Sequence, residues 1–349
     1  MLVCRDYSAH KKKNPIGKSS TKDINFFVWS TYDLRADNLS KHLGACLYFL
    51  FSSPLRHPTL MIKTLTILRN DKPKVIICQN PPMTCALIAV MYRIFFARRC
   101  APKIIMDAHR GAFYRPWSYM KFLSNFILRR VDVVIVDNTE LQNLVLNQHG
   151  VKASILEDPI PELLDSLQDS KNTSMTSSKT GTFKVAVSNP YTWDVPLSQI
   201  IEAARSLVTV ADFYLTGDFQ KANDKLLRQR PNNVILTGFL PAKEYVSLLV
   251  EVDAILALVN DPLAMQSSGY AAIAAEKILI ISNHPNLKKY FTKGTIHIKN
   301  SADDIKKAII MARDKEDILK KEMHELRLEK QKEWQEKITN LLRTINIEI

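Results

Sequence analysis

Two short segments carry the residues best placed to do chemistry. Asp107-Ala108-His109-Arg110 directly follows the apolar run at 103–106 (KIIM), which reads as a buried strand. Its side chains should therefore emerge at the end of a sheet. Asp107 or His109 could act as a base or orient a hydroxyl, and Arg110 could meet a phosphate. An equally open alternative makes Asp107 a cap for the next helix and His109 a packed residue between domains. The second segment is Gln266-Ser267-Ser268-Gly269-Tyr270, leading into a helical stretch. Ser267 or Ser268 is a good N-cap. A helix start rich in small residues offers free backbone N–H groups and a positive dipole end, which suits a phosphate. The plainer alternative is a capped helix with no ligand.

These segments need elements to position them, and the sequence predicts a regular set. Short apolar runs at 24–29, 75–78, 103–106, 133–136 and 154–156 read as strands. They alternate with helices over 39–50, from 83 through 96, 117–130 and 139–149, the last closed by Gly150. A polar loop is expected at 30–38. The rhythm restarts with strands at 183–187, 212–215, 234–236, 254–258 and 278–281. Helices are expected at 197–207, 242–250 and 268–276, followed by nearly continuous charged helix from 303 to about 344. Such alternation signals βαβ units, and continuous apolar strands imply a parallel sheet covered on both faces. The expected fold class is α/β: two Rossmann-like domains with mainly parallel sheets facing across a cleft, plus a charged C-terminal helix. The chain divides into a basic disordered arm (1–23), a first domain (24–163), a Ser/Thr/Lys-rich linker (164–182), a second domain (183–302) and the charged helical segment (303–349).

In open α/β sheets, ligands sit at the carboxyl ends of strands. The segments at such ends are 30–38, which holds Arg35; 80–82; 107–111; 189–194, with Asn189 and Asp194; Gly217-Asp218; Gly238-Phe239; and 261–269. The chain has only 9 Gly in 349 residues, so several at strand ends are informative. No G-x-G-x-x-G and no G-x-x-x-x-G-K-[ST] occurs, which disfavours dinucleotide and P-loop sites. No Asp-x-Asp occurs either. A diphosphate leaving group would rely on helix N-termini and basic side chains, and no metal or other cofactor is expected.

Bulk properties narrow the partners. The net charge is +13, from 48 basic and 35 acidic side chains, which favours an anionic partner. Five Cys without a CxxC or a Cys/His cluster fit free thiols in a reducing compartment and argue against zinc. Lys11 to Lys13 are followed by polar residues, so no signal peptide is expected. The apolar stretch 83–97 contains Arg93 and is shorter than the ~20 residues of a span, so it reads as a buried helix. Aromatic and basic residues interleave from Phe113 through Trp117, Tyr119, Lys121, Phe122 and Phe126 to Arg129 and Arg130. That face suits an anionic membrane interface, or else its aromatics are core and its bases solvated. Nucleic acid is not expected, since no recognised module is present.

Taken in order, these pieces resemble the GT-B glycosyltransferases, in particular the family 4-like group with bacterial sugar transferases acting on lipid-linked acceptors. The resemblance runs from Ile24 to Lys299. It rests on Asn80-Pro81-Pro82, Asp107-Ala108-His109, Val131-Asp132 before the VVIV strand, Leu215-Thr216-Gly217-Asp218, Gly238-Phe239-Leu240-Pro241 and the stretch Ser268–Ile281. It implies transfer of a sugar from a nucleotide-sugar donor to a glycan or lipid-linked acceptor, with retention of stereochemistry. The setting would be polysaccharide biosynthesis in the cytoplasm, peripheral on the inner face of the membrane. In such enzymes the first domain holds the acceptor, the second holds the donor, and the last helix often crosses back. Asp107 and His109 would be the catalytic pair, with Arg35 and Arg110 on the acceptor side. Asn189, Asp194, Gly217, Asp218, Gly238, Phe239, Gln266, Ser267, Ser268 and Gly269 would contact the donor. Two departures stand out. The family's donor-binding Glu falls at Ala271, and its Gly and Pro fall at Glu276 and Ile278. The loop 188–194 also lacks the basic pair common after the first strand of the second domain. The alternatives are a catalytically reduced GT-B scaffold serving as partner to another transferase, or a sugar-nucleotide epimerase.

Overall fold

The computed structural model describes residues 23–31, 33–51, 57–114, 117–161, 181–188, 190–221 and 224–344. The predicted arm at 1–23 and linker at 164–182 lie almost entirely outside them, as do Asn189, Arg115 and Pro116.

The first half builds β1 (Ile24–Val28), α1 (Leu34–Leu43), β2 (Cys46–Phe49), α2 (His57–Asp71), β3 (Val75–Asn80), α3 (Met83–Phe95), β4 (Lys103–Ala108), α4 (Lys121–Leu128), β5 (Val133–Val136), α5 (Thr139–His149) and β6 (Ser154–Ile155). Its six strands form one all-parallel sheet in the order β2-β1-β3-β4-β5-β6. The second half builds β7 (Phe183–Ser188), α6 (Leu197–Arg205), β8 (Ala211–Thr216), α7 (Asp224–Arg228), β9 (Val234–Gly238), α8 (Ala242–Glu251), β10 (Ala254–Ala257), α9 (Ser267–Ala275), β11 (Ile278–Ser282), α10 (Pro285–Tyr290) and β12 (Thr295–Ile298). Its sheet is also all-parallel, in the order β12-β11-β10-β7-β8-β9. Two helices close the chain, α11 (Ala302–Asp314) and α12 (Glu316–Thr344). The α/β class and the paired parallel sheets are those expected from the strand–helix rhythm.

Each strand sends alternate side chains to two different cores. Ile76 and Cys78 of β3 join Ile104 and Met106 of β4 beneath α3. Val75 and Ile77 join Ile105 on the opposite face, beneath Ala36, Leu39 and Leu43 of α1. The final helix belongs to both halves. Met323 and Leu326 pack into a core of the second half, whereas Trp334, Ile338, Leu341 and Leu342 pack into the first. Trp334 also donates its indole N–H to the carbonyl of Glu157 at 3.0 Å, and Lys337 pairs with the Glu157 carboxylate at 2.6 Å. The return of this helix to the first half is thus built from apolar burial and one anchored carboxylate.

Three predicted segments are corrected. Residues 39–50 do not form one helix, because Gly44 takes a left-handed conformation (φ 61°) and ends α1 at Leu43. The β-prone Cys46–Phe49 then pairs with β1. The loop expected at 30–38 is also shorter. Asp33 caps α1 by accepting from the Ala36 amide at 2.8 Å, so Arg35 sits on a helix. Residues 117–130 begin with a single 3-10 turn, Trp117–Tyr119, before α4. Helix α2 went unpredicted, although Leu60, Thr64 and Leu68 mark a buried stripe at four-residue spacing.

Candidate active site

Asp107 is the penultimate residue of β4 and shares a face with Ile105, the face covered by α1. Arg35 projects from the first turn of that helix and meets it. Its Nη2 lies 2.9 Å from Asp107 Oδ1, and its Nε reaches both carboxylate oxygens at 3.1–3.2 Å. Nη1 donates to Asp158 at 2.7 Å and Nη2 to the carbonyl of Leu156 at 2.9 Å. Both partners of the Arg35–Asp107 pair are buried. Burial alone would raise the Asp107 pKa, but Arg35 and His109 outweigh it and hold the carboxyl well below its ordinary range. Asp107 and Arg35 therefore lie behind the cleft wall and fix its charge.

His109 stands in front of them, with its side chain 28% exposed. Its Nε2 is 3.6 Å from Asp107 and 3.1 Å from the Gln79 amide nitrogen. Burial disfavours the imidazolium, yet the Asp107 carboxylate more than compensates and raises its pKa to about 9. The raised pKa favours the imidazolium, whose Nε2–H points to Asp107; in that state the Gln79 side-chain amide turns its oxygen, not its nitrogen, to the ring.

Arg110 spans the two halves. Its Nη1 donates to Asp261 at 2.6 Å and its Nη2 to Asp194 at 3.0 Å. Tyr114 adds its hydroxyl to both oxygens of Asp261 at 3.1 Å. Arg110 is thus committed to carboxylates of the second half rather than presented as a free acceptor-side cation. Further cross-contacts join Asn138 to the carbonyl of Leu263 and Lys289 to Thr139.

In the second sheet, β7 and β10 are neighbours whose connections leave in opposite directions. Their carboxyl ends mark the switch point where such sheets bind ligands. The loop carrying Asp194 leaves one strand, and the segment ending at α9 leaves the other. The helix is capped by Gln266, not by Ser267 or Ser268 as expected, and its cap makes no side-chain hydrogen bond. Ser267 and Ser268 occupy its first turn, where amides have no acceptor within the helix. The Gly269 amide donates to the Gln266 carbonyl at 2.9 Å. A Cβ at Gly269 would come within 2.6 Å of the Phe291 ring, so this glycine serves packing. Ala271 is buried in the same apolar cluster.

These pieces enclose a cleft of about 330 Å³. His109, Arg110, Asp137 and Asp158 line it from the first half, and Asp194, Gln266, Ser267 and Ser268 from the second. Of the expected site, the structure brings His109, Arg110, Asp194, Gln266, Ser267 and Ser268 together. It does not bring Gly217, Asp218, Gly238 or Phe239 to this cleft. They occupy the carboxyl ends of β8 and β9, toward the sheet edge, tied by a 2.8 Å bond from the Gly217 amide to the Gly238 carbonyl. Phe239 is 81% exposed there. Asp137 and Asp158 were missed by sequence reasoning, and Asp261 entered it only as the first residue of the strand-end segment 261–269. Asp137 carried a usable signal, being the first polar residue after a buried parallel strand.

No family model matches the chain, and no curated protein sequence does. Solved structures match over nearly the full length. Anabaena HepE in complex with UDP and glucose is 10% identical, with a TM-score of 0.68 over 92% of this chain and 99% of that one. Sucrose-phosphate synthase from Thermosynechococcus elongatus is 10% identical, with a TM-score of 0.66 over 87% and 94%. A glycosyltransferase from Rickettsia africae is 13% identical, with a TM-score of 0.62 over 87% and 92%. The fold is GT-B.

Proposed function

We propose that this chain is a glycosyltransferase that moves a sugar from a nucleotide-sugar donor to a glycan or lipid-linked acceptor. One observation carries the reading: a helix N-terminus from one sheet and a charged imidazole from the other line a single cleft. The amides of Ser267 and Ser268 offer a diphosphate hydrogen bonds and a positive dipole end. His109, held charged by Asp107, sits opposite, where negative charge grows as the phosphate leaves. The GT-B fold, and the UDP and glucose in the similar HepE structure, support this reading. Catalysis would use these groups without a metal.

The test is binding of UDP-, GDP- and dTDP-sugars, read by thermal shift and calorimetry. A donor at 100 times its Kd would add about 2.7 kcal/mol of stability. Absence of saturable binding by every donor would overturn the reading.

Surface chemistry supports a membrane-bound acceptor. Tyr119 and Phe122 are 68% and 87% exposed beside Lys121 at the start of α4. A peripheral site on an anionic cytoplasmic membrane surface, in polysaccharide biosynthesis, would use them. Among the described residues no helix is long and apolar enough to cross a membrane. Vesicle flotation with and without anionic lipid checks the contact.

A second reading, a scaffold that partners an active transferase, draws on Ala271 and Glu276. Ala271 offers a donor no hydrogen bond, and the Glu276 carboxylate is held by His324 and Arg327. If Ala271→Glu creates donor binding that the wild type lacks, the scaffold reading replaces the first.

A further inference from the structure

A second hollow, of about 800 Å³, lies in the second half. It opens beside the carboxyl ends of β7, β10 and β12, and the turn 190–196 divides it from the cleft. Thr192 and Val195 line both spaces. Between them the chain splits its side chains: Asp194 lines the cleft and pairs with Arg110, whereas Trp193 lines the hollow.

Trp193 is 83% exposed and packs into neither core of this half. The turn beneath it is nevertheless fixed. The Val195 amide donates to the Thr192 carbonyl at 3.1 Å, and the Asn260 amide donates to the Asp194 carbonyl at 2.7 Å. A large flat ring mounted on a pre-set turn can take a stacked ligand with little ordering of the backbone.

The polar groups around the ring are directed donors. Asn260 Oδ1 accepts from the Asn300 side chain at 2.8 Å, which leaves Asn260 Nδ2 unpaired among the described residues. Gln199 Oε1 accepts from the Ala302 amide at 3.2 Å, which leaves its Nε2 in the same state. Lys299, exposed just beyond β12, forms no ion pair among the described residues. The chemistry disfavours a free anion, because the first turn of α11 beside Ser301 already holds Asp303 and Asp304. A single lysine also falls short of what a nucleic-acid backbone requires. An open aromatic face with amide donors at its rim matches a ring that has an apolar C–H face and oxygens at its edge, which is a pyranose.

We propose that this hollow is a saccharide-binding site outside the reaction cleft. A glycan chain stacks one of its rings on Trp193 and accepts hydrogen bonds from Asn260 and Gln199. That the enzyme should hold such a chain beside its cleft rests on the glycosyltransferase reading above; the binding itself does not.

The experiment uses the full chain with hexasaccharides of glucose, galactose, mannose and N-acetylglucosamine, read by calorimetry and tryptophan fluorescence. Inorganic phosphate, a short oligothymidylate and the UDP-, GDP- and dTDP-sugars are titrated beside them. At least one hexasaccharide should saturate the wild type with a Kd of about 1 mM or tighter. Trp193→Ala should weaken that binding about tenfold or more, and Trp193→Phe, which keeps a smaller ring, should weaken it less. Asn260→Asp retains the oxygen that Asn300 needs but removes the donor, and should weaken binding about threefold or more. It carries the test if the Ala variant does not fold. None of these side chains lines the cleft, so donor Kd should change less than about threefold. Hexasaccharide binding left intact by Trp193→Ala or by Asn260→Asp would overturn the proposal. So would a wild type that saturates with no hexasaccharide, or only with phosphate or the oligothymidylate. A wild type that binds a hexasaccharide through Trp193 but binds no donor would keep the saccharide site and overturn the glycosyltransferase reading alone.

Discussion

The two sheets meet the same cleft with opposite kinds of chemistry. The first brings Arg35, Asp107, His109 and Asp158 to its carboxyl edge, all charged or chargeable and joined through Arg35 and Asp107. The second brings backbone amides of Ser267 and Ser268, flanked by the apolar strand ends Val187 and Leu256. Side-chain charges must be identified residue by residue, because each is supported by a partner of opposite sign. A helix N-terminus depends on backbone geometry and tolerates many sequences.

The sharpest way to break the comparison is to remove the cation beneath the first wall. Arg35→Met leaves Asp107 without its buried partner and Asp158 without a salt bridge. Breaking one side of a buried pair costs about 3–5 kcal/mol. Urea denaturation should show that loss, whereas a loss under about 1 kcal/mol would mean that solvent already reaches the pair.

His109→Gln comes next. It should lower nucleotide-sugar turnover about 10²-fold, the cost of removing one donor from a developing negative charge. It should also change the pH dependence of stability. The folded-state pKa of His109 is raised from 6.5 to about 9. Its stabilising contribution is therefore fully present below about pH 6.5 and is lost as pH rises through about 9. The wild type should lose urea resistance across that window, and the Gln variant should lose less. Equal profiles would separate His109 from Asp107.

The second wall is best probed through its backbone. Ser267 is the first residue of α9, and Gln266 before it is extended, with φ −108° and ψ 116°. Proline is tolerated at a first helical position and accepts an extended predecessor. Ser267→Pro thus removes one cleft amide without breaking the helix. Loss of one hydrogen bond to a charged group is worth about 1.5–3 kcal/mol, or roughly 10–100-fold in donor Kd. Unchanged donor affinity at an unchanged melting temperature would take the diphosphate away from α9.

The same contrast explains what could be read in advance. Continuous apolar runs such as Val133–Val136 and Ile278–Ile281 announced parallel strands, because burial on both faces leaves little room for polar residues. Asp107, His109 and Ser267 followed from their positions at strand and helix ends. The role of Arg35 did not, because its partners Asp107 and Asp158 lie 72 and 123 residues away. Nor did the commitment of Arg110, whose partners lie 84 and 151 residues on. Gly269 looked like a ligand-cradling glycine, since its clash partner Phe291 is 22 positions on and invisible to local pattern.

The mildest test concerns the far end of α9. Glu276 closes that helix in the left-handed region, at φ 53° and ψ 41°. For a residue with a Cβ this conformation costs about 1–2 kcal/mol, which glycine would relieve. Against that gain stand the bonds from His324 and Arg327 to its carboxylate, each at 2.9 Å and each partly exposed. Exposed pairs contribute about 0–1 kcal/mol. Glu276→Gly should therefore stabilise the chain slightly, by about 0.5–1 kcal/mol after the two effects are offset. Donor affinity should not move, because nine helical rises of about 1.5 Å place Glu276 roughly 13 Å from the Ser267 amide. A net loss of stability would instead show that Glu276 is what fastens α12 to the second half. The helix shared by both cores would then depend on charge at one end, at Glu276, as it does on Glu157 at the other.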